Sequence, residues 1–217
     1  MTNDIKHHLT DALLMAYSAG SLPEGFNLVV ATHISMCDEC RARMHEFDTV
    51  GGAVMDAEAP IGLSDGSFAA TLALIAKNPT DADMPKPAKK VSSLPAPLHD
   101  YVGTDLSDVK WRKVGGGVRQ AILKTDRSAS VRLLHIPAGV QMPDHGHRGT
   151  ELTLVLEGAF KDETDRFGAG DIEVASEDDH HQPVAEMGQD CICLAASDAP
   201  LRFNSWIPRI IQPFLRI

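Results

Sequence analysis

The most informative part of the chain is the stretch Pro143-Asp144-His145-Gly146-His147-Arg148-Gly149-Thr150-Glu151, which precedes the apolar run Leu152 to Leu156. His145 and His147 are two residues apart, so on an extended strand both imidazoles leave the same face. Glu151 shares their parity and joins them if the strand continues through Gly149 without a bulge. Two imidazoles and a carboxylate that converge in this way predict a site for Zn, Fe, Mn or Ni. The alternative is a solvated histidine pair in a turn.

The spacing around this stretch resembles the first cupin motif, in which a Gly, a His-x-His pair, a Glu and a second Gly follow at fixed intervals. The matching residues are Gly139, His145, His147, Glu151 and Gly158. The second cupin motif begins with a Gly and has its histidine eleven residues later, and Gly170 and His181 have this spacing. Three positions depart from the motif, where Pro, Gly and Asn are usual: Ser176, Asp178 and Ala185. The neighbouring His180 therefore remains a rival ligand to His181.

The region from Tyr101 onward consists of short alternating runs separated by turn residues. The predicted strands are Val118 to Leu123, Val131 to Ile136, Leu152 to Leu156, Ile172 to Ala175 and Cys191 to Ala195. This pattern favours an antiparallel barrel or sandwich. Leu152, Leu154 and Leu156 have the opposite parity to the metal ligands and should point away from the barrel interior. An apolar C-terminal segment could cover them, or could form a homodimer contact through the cupin domain: Phe203, Trp206, Ile207, Ile210, Ile211, Phe214 and Leu215.

The first third of the chain has helical periodicity. Helices are predicted from 9 to about 20, from Pro23 or Glu24 to His33, from about Asp38 to Asp56, and from Ser64 or Asp65 to about Lys77. Such short helices with few large core residues make a bundle that depends partly on bound metal for its folding free energy.

The end of the second predicted helix contains three potential metal ligands, His33, Cys37 and Cys40. His33 and Cys37 are four residues apart and can share a helical face, and the Cys-x-x-Cys turn brings Cys40 to the same ion. A zinc tetrahedron needs a fourth ligand. The candidates, in order of preference, are His8, His7 and His45. The alternatives are a redox Cys-x-x-Cys or two ordinary buried thiols. A thioredoxin-type motif belongs to a strand-helix unit, which this helical region does not offer.

Residues 78–98 are predicted to be a linker because five prolines interrupt a span that lacks periodicity. The fold class is therefore multidomain α + β, with a small N-terminal helical zinc-binding bundle at 1–77 and a C-terminal antiparallel β-barrel at 99–217. We expect the two domains to move relative to each other. Cys191 and Cys193 share a face of a predicted strand; they could be oxidant sensors or line the metal cavity, but are interpreted as small core residues.

The charge balance is acidic, with 20 Lys and Arg against 30 Asp and Glu among 217 residues. This composition lacks the basic surface of a nucleic-acid binder, so a protein of this charge that acts on transcription should bind a protein. The start of the sequence is polar and no apolar run has membrane-spanning length, so we expect a cytoplasmic location and no membrane partner.

A helical His-x-x-x-Cys-x-x-Cys unit, a proline-rich linker and a metal-binding cupin together resemble the ChrR-type anti-sigma factors. This resemblance implies a partner, an extracytoplasmic-function sigma factor, that the helical domain sequesters and that is released in oxidative stress, with singlet oxygen as the characteristic signal. It also implies Zn²⁺ at the N-terminal site, a second divalent metal, expected to be zinc, in the cupin, and no enzymatic activity. The implied ligands are His8, His33, Cys37 and Cys40, and His145, His147, Glu151 and His181. The alternative is a metal-dependent cupin oxygenase or isomerase with a helical appendage.

Overall fold

The computed structural model describes residues 4–77 and 92–203. Its helices are α1 (Asp11–Ser18), α2 (Glu24–Met36), α3 (Asp38–Ala57), α4 (Ser67–Lys77) and a short α5 (His99–Val102). The four predicted N-terminal helices are present, with α2 three residues longer than predicted. The Thr10 hydroxyl accepts a hydrogen bond from the Leu13 amide and caps α1. Cys37 ends α2 and begins α3, where its sulfur accepts a hydrogen bond from the Cys40 amide.

The remaining described residues form short strands in antiparallel pairs. They are β1 (Arg112–Gly115), β2 (Val118–Leu123), β3 (Ser130–Ile136), β4 (His145–Gly146), β5 (Glu151–Glu157), β6 (Ala159–Lys161), β7 (Arg166–Gly168), β8 (Ile172–Ala175), β9 (His180–His181), β10 (Val184–Ala185), β11 (Cys191–Ser197) and β12 (Arg202–Phe203). A six-stranded sheet has the order β1-β2-β3-β11-β5-β8. Two three-stranded sheets, β10-β6-β7 and β12-β4-β9, complete the β part.

The two faces of the large sheet contribute to different cores, as the alternation of β5 predicts. Val155 belongs to an interior cluster with Phe160 and Phe167 of the smaller sheet. Leu152 and Leu154, of opposite parity, are fully buried in a second cluster that also contains helical residues. The prediction that these leucines point away from the barrel interior is confirmed.

Helix α2 covers the leucine face of the large sheet by packing on β5 and β11. The approach is close at Gly25, where an added Cβ would lie 2.6 Å from Val131 Cγ2. At the same end of α2, the Glu24 carboxylate accepts hydrogen bonds from the Tyr101 hydroxyl (2.8 Å) and the Asp126 amide (2.6 Å). The C-terminal segment, for which the sequence suggested either this covering role or a subunit contact, lies outside the described residues from 204 to 217.

The helical and β parts share one core in this structure, whereas the sequence analysis predicted domains that move relative to each other. Leu94 and Leu98, within the span interpreted as linker, are buried in that core. A 3₁₀ turn at Ala96–Leu98 packs against α2. Residues 78–91 of the predicted linker lie outside the described residues. None of the helices in the described ranges is long and apolar enough to cross a membrane.

Candidate metal centres

The first centre lies where α2 meets α3. Ligand atoms of His8, His33, Cys37 and Cys40 all lie within 4.8 Å of one another. His8 Nδ1 is 3.4 Å from Cys37 Sγ and 3.6 Å from Cys40 Sγ. The two cysteines and His33 are buried, while His8 is half-buried just before α1. The structure therefore brings together the four residues that the sequence analysis preferred.

The rival histidines lie elsewhere. The ring of His7 packs on Phe167, with centroids 4.3 Å apart. His45 is exposed on α3 beside Asp48. Glu39, which the sequence analysis did not select, lies behind His8 with a carboxylate oxygen 3.4 Å from Nε2. This leaves Nδ1 of His8 to face the thiols.

The chemistry of this group fits a zinc ion. Both ring nitrogens of His33 are buried, and within the described residues neither makes a hydrogen bond of good geometry, although the Gly170 main chain lies near the ring. Such orphaned nitrogens are costly unless a ligand satisfies them. Burial and the neighbouring His8 lower the pKa of His33 to about 4, so this imidazole is neutral at pH 7 and able to coordinate. Two sulfurs and two imidazoles form a donor set that is typical of closed structural zinc sites.

The second centre is formed by three buried histidines, His145, His147 and His181, whose ligand atoms also lie within 4.8 Å of one another. β4 pairs with β9 so that His145 is opposite His181, and their Nε2 atoms are 3.1 Å apart. His145 Nδ1 is 2.9 Å from the Pro143 carbonyl oxygen, which accepts a hydrogen bond from it. The neighbouring His180 is exposed, with its ring over Gly146, where an added Cβ would lie 2.3 Å from it.

Glu151 lies at the edge of this group because the strand does not continue regularly. β4 ends at Gly146 and β5 begins at Glu151, and the residues between them bend. Glu151 Oε2 is 3.9 Å from His147 Nδ1, and the other carboxylate oxygen, Oε1, accepts a hydrogen bond from the Thr153 hydroxyl. Because of this interruption, Glu151 lies near His147 but outside the compact group of three histidines. Its parity alone had predicted that it would join them.

Two carboxylates that the sequence analysis missed hold His181 from behind. Its Nδ1 lies 2.9 Å from Glu173 Oε1 and 3.1 Å from Asp162 Oδ2, which directs Nε2 toward His145. Burial lowers the pKa of His181, but Glu173 and Asp162 outweigh this effect and raise it to about 9. No sequence motif marks these two residues, because they reach the site from β8 and from the turn between β6 and β7.

This arrangement also fits a divalent cation. Both nitrogens of His147 are buried and lack a hydrogen-bond partner among the described residues. Burial lowers the pKa values of His145 and His147, which favours the neutral form that coordinates metal. A carboxylate behind a ligating imidazole is the usual way in which proteins fix its orientation. Since the residues suit a metal, an ion bound here would act as a Lewis acid facing the interior of the barrel.

A cavity of about 570 Å³ adjoins the second centre. His145, His181 and Glu151 line it at one side, and the apolar side chains of Leu134 and Phe160 line another. Cys193 also lines the cavity. Its sulfur is 3.5 Å from that of Cys191, and both residues are buried in the core. The structure therefore agrees with the core interpretation for both cysteines and also with the alternative, cavity lining, for Cys193.

Comparison with known proteins identifies the family. A model of the ChrR cupin-like domain matches residues 99–199. A relative, the anti-sigma-E factor ChrR of Cereibacter sphaeroides, is 61% identical over 214 residues, which are 98% of this chain and 99% of that protein. The chain belongs to the ChrR family of anti-sigma factors. In the crystal structure of Rhodobacter sphaeroides SigE in complex with the anti-sigma ChrR, the matched chain is 59% identical, with a TM-score of 0.78 over 89% of this chain and 99% of that one.

Membership of the ChrR family confirms the predicted fold class, a helical N-terminal part followed by a cupin domain. Anti-sigma factors are regulators, so membership also confirms that the chain is not an enzyme. The predicted zinc at the first site is compatible with the observed His and Cys group.

Zinc binding at the first centre of this ChrR-family chain is expected to release protons. Burial raises the pKa of the Cys40 thiol to about 11, so the thiol is protonated at pH 7 and must lose its proton to coordinate. The apparent zinc affinity should therefore rise about tenfold per pH unit for each proton released, and fall as the pH falls. Competition with a chelator at two pH values measures this dependence. Zinc binding to the Cys40→Ser variant should release one proton fewer, so its affinity should depend less steeply on pH. A parent affinity independent of pH would contradict coordination by Cys40.

Proposed function

We propose that the chain sequesters an extracytoplasmic-function sigma factor through its zinc-bound helical domain and releases it under oxidative stress, with singlet oxygen as the expected signal. Its membership of a family of anti-sigma factors supports the first part. The similar crystal structure is a complex of an anti-sigma factor with the sigma factor SigE. The observation that carries the proposal is a set of exposed apolar side chains concentrated in one stretch of the helical part.

This set, the apolar patch, extends from the second half of α3 to α4. Its members are Val50, Val54, Met55, Ile61, Leu63, Phe68, Leu72, Leu74 and Ile75. Ile61 is 91% exposed and Phe68 76% exposed, and α4 buries none of its residues. Single exposed apolar residues are normal on a protein surface, whereas nine of them between residues 50 and 75 indicate an interaction surface.

The helices that carry the patch are poorly supported by the rest of the chain. Gly51 and Gly52 lie inside α3, where each glycine costs about 1 kcal/mol relative to alanine. An added Cβ at either glycine would meet no atom within 4 Å. Isolated helices of this length are marginal in water and need packing of their apolar faces. A sigma factor that packs against α4 and the end of α3 would supply this packing.

The acidic charge of the chain supports a protein partner over DNA. The formal net charge is −10, and residues 50–75, which carry the patch, contain no Lys or Arg. Binding to the phosphate backbone depends on Lys and Arg contacts, which this surface does not provide. The chain therefore acts on transcription through the sigma factor.

The two metal centres have different roles in this proposal. The first, formed by His8, His33, Cys37 and Cys40, has a complete protein ligand set and a structural role. It joins the C-terminal end of α2 to the beginning of α3 and so orients the helix that leads to the patch. The second has three histidines, the adjacent Glu151 and a cavity beside them, so a small molecule or oxidant can approach the metal. We assign the response to the second centre.

The test of this division is the His147→Ala variant. This change removes a ligand of the cupin metal without altering the helical domain, so the variant should bind the sigma factor with parent affinity and show several-fold weaker induction of a sigma-dependent reporter by singlet oxygen. Sigma binding is measured with the extracytoplasmic-function sigma factors of the host, each tested separately, together with inhibition of transcription by RNA polymerase.

The control is His180→Ala, which removes the exposed histidine next to His181 and should leave induction unchanged. Metal analysis and thermal denaturation of both variants separate metal loss from misfolding. Normal induction by His147→Ala protein that lacks the cupin metal would contradict the proposed role. Failure of the parent chain to bind any of these sigma factors would contradict the proposed function as a whole.

A further inference from the structure

The segment before α1 is held on the β part of the molecule by its main chain. The Lys6 and His7 amides donate hydrogen bonds to Asp171 Oδ1, at 2.6 and 2.9 Å. In return, the Ile172 amide donates to the His7 carbonyl at 3.3 Å. These three hydrogen bonds join residues that are about 165 positions apart in the sequence. The segment thus lies alongside the beginning of β8.

The carboxylate of Asp171 is well placed for this role. Asp171 is buried, and its second oxygen accepts a hydrogen bond from the Gly168 amide at 2.8 Å. One oxygen of Asp171 therefore stabilises the local turn from Gly168, and the other binds the N-terminal segment. Hydrogen bonds from amides to a carboxylate are roughly twice as strong as bonds between neutral groups. Loss of this carboxylate would leave part-buried amides without their acceptor.

Side chains reinforce the attachment next to Asp171. Ile5 packs against Gly170, where an added Cβ would lie 2.6 Å from Ile5 Cδ1. Gly170 has a φ of 96°, a conformation that favours glycine. The His7 ring packs on Phe167. The segment is thus held by a shaped surface as well as by the hydrogen bonds.

The next residue along the chain is His8, the ligand candidate of the first centre. His8 lies outside the helices, so the main chain on either side of it determines how far its imidazole reaches toward Cys37 and Cys40. On one side α1 begins at Asp11. On the other side the Asp171 hydrogen bonds end at His7, one residue away.

We propose that Asp171, in the cupin domain, is a positioning residue for the zinc site of the helical domain: its carboxylate holds the segment that presents His8 to the two thiolates. This inference rests on the proposed zinc site, and it adds a connection between the two metal centres. Asp171 directly precedes β8, and Glu173 on β8 contacts His181 of the second centre. A displacement of β8 at the cupin metal would therefore also displace His8.

The test uses the full-length chain loaded with Co²⁺. Thiolate-to-cobalt charge-transfer absorption reports on the site with Cys37 and Cys40, whereas the proposed cupin ligands contain no thiolate. Asp171→Ala should release cobalt from this site to a chelator about 10-fold faster than the parent, the scale of a lost supporting contact behind a metal ligand. Asp171→Asn, whose amide oxygen can still accept from Lys6 and His7, should recover part of the loss.

Hydrogen exchange of the metal-free protein gives a second readout. The Lys6 and His7 amides should lose protection in Asp171→Ala, because their acceptor is gone. Ile5→Ala loosens the same segment without changing the buried carboxylate and should shift both readouts in the same direction. Asp165→Ala is the matched control, since this exposed carboxylate is 3.7 Å from His7 Nε2 and accepts neither main-chain amide.

The outcomes separate this inference from the proposal on which it depends. Parent-like cobalt release and amide protection in Asp171→Ala and Ile5→Ala would refute the positioning role while leaving the zinc site intact. Absence of the charge-transfer band in the parent protein would refute the zinc site, and with it the role of Asp171.

Discussion

Replacement of Cys37 by Ser is expected to remove the metal from the N-terminal centre and to abolish sigma binding. The serine hydroxyl is a good helix cap and can accept the hydrogen bond from the Cys40 amide, so the start of α3 keeps its cap. The thiolate ligand, however, is lost. A structural zinc contributes on the order of 10 kcal/mol to the folding of a small domain. We therefore expect sigma affinity to fall by more than about 100-fold.

Elemental analysis of the purified variant, together with titration against the sigma factor, measures this effect. The bound zinc should fall by one ion per chain, while the metal of the cupin centre is retained. His45→Ala, which removes an exposed histidine from the same helix, should change neither quantity. A Cys37→Ser protein that lacks the zinc and still inhibits transcription as the parent does would show that the metal does not support the binding surface.

Introduction of charge into the apolar patch is the second change with a large expected effect. Phe68→Asp combined with Leu72→Asp places two carboxylates on α4, where the parent residues are 76% and 48% exposed. These side chains contribute little to the folded core, so the melting temperature should stay close to that of the parent. Buried aromatic and aliphatic anchors at an interface each contribute about 2 kcal/mol or more, so sigma affinity should fall at least about 30-fold.

Calorimetric titration of the sigma factor into the double variant measures the affinity, and thermal denaturation checks the fold. The control is Met187→Asp, which makes the same type of change at an exposed apolar residue of the cupin domain and should leave affinity unchanged. Parent-like binding by a folded double variant would remove α4 from the interface and leave the exposure of the patch unexplained.

The spacing of residues in the sequence was enough to group several candidate ligands of the two centres. His33, Cys37 and Cys40 could be grouped because helix and turn geometry bring positions i, i+4 and i+7 together. His181 could be grouped with His145 only through the cupin resemblance, since the pairing of β4 with β9 is a long-range contact. The position of Glu151 could not be predicted from alternation along a strand, because no alternation of hydrophobic residues indicates the bend between β4 and β5.

The contacts between the helical and β parts could not be predicted from the sequence. Helix α2 buries apolar residues on more than one face, because it packs on α1 and α3 and also on the sheet. They are Phe26, Leu28, Val29, Val30 and Ile34. Asp171 gave no signal, since one aspartate in an acidic chain resembles any other until its partners are known. The prolines indicated a linker, but they do not indicate whether the domains it joins also pack together.

The packing of α2 on the leucine face restricts how the sigma factor can be released. If the helical domain left the cupin domain, Leu152, Leu154 and Leu194, which are fully buried here, would enter water. A separated cupin domain would then be a substrate for chaperones and proteases and prone to aggregation, so that separation would amount to an irreversible step. A switch that can be reset must therefore keep α2 on the sheet and act through smaller movements at the edges of this shared core.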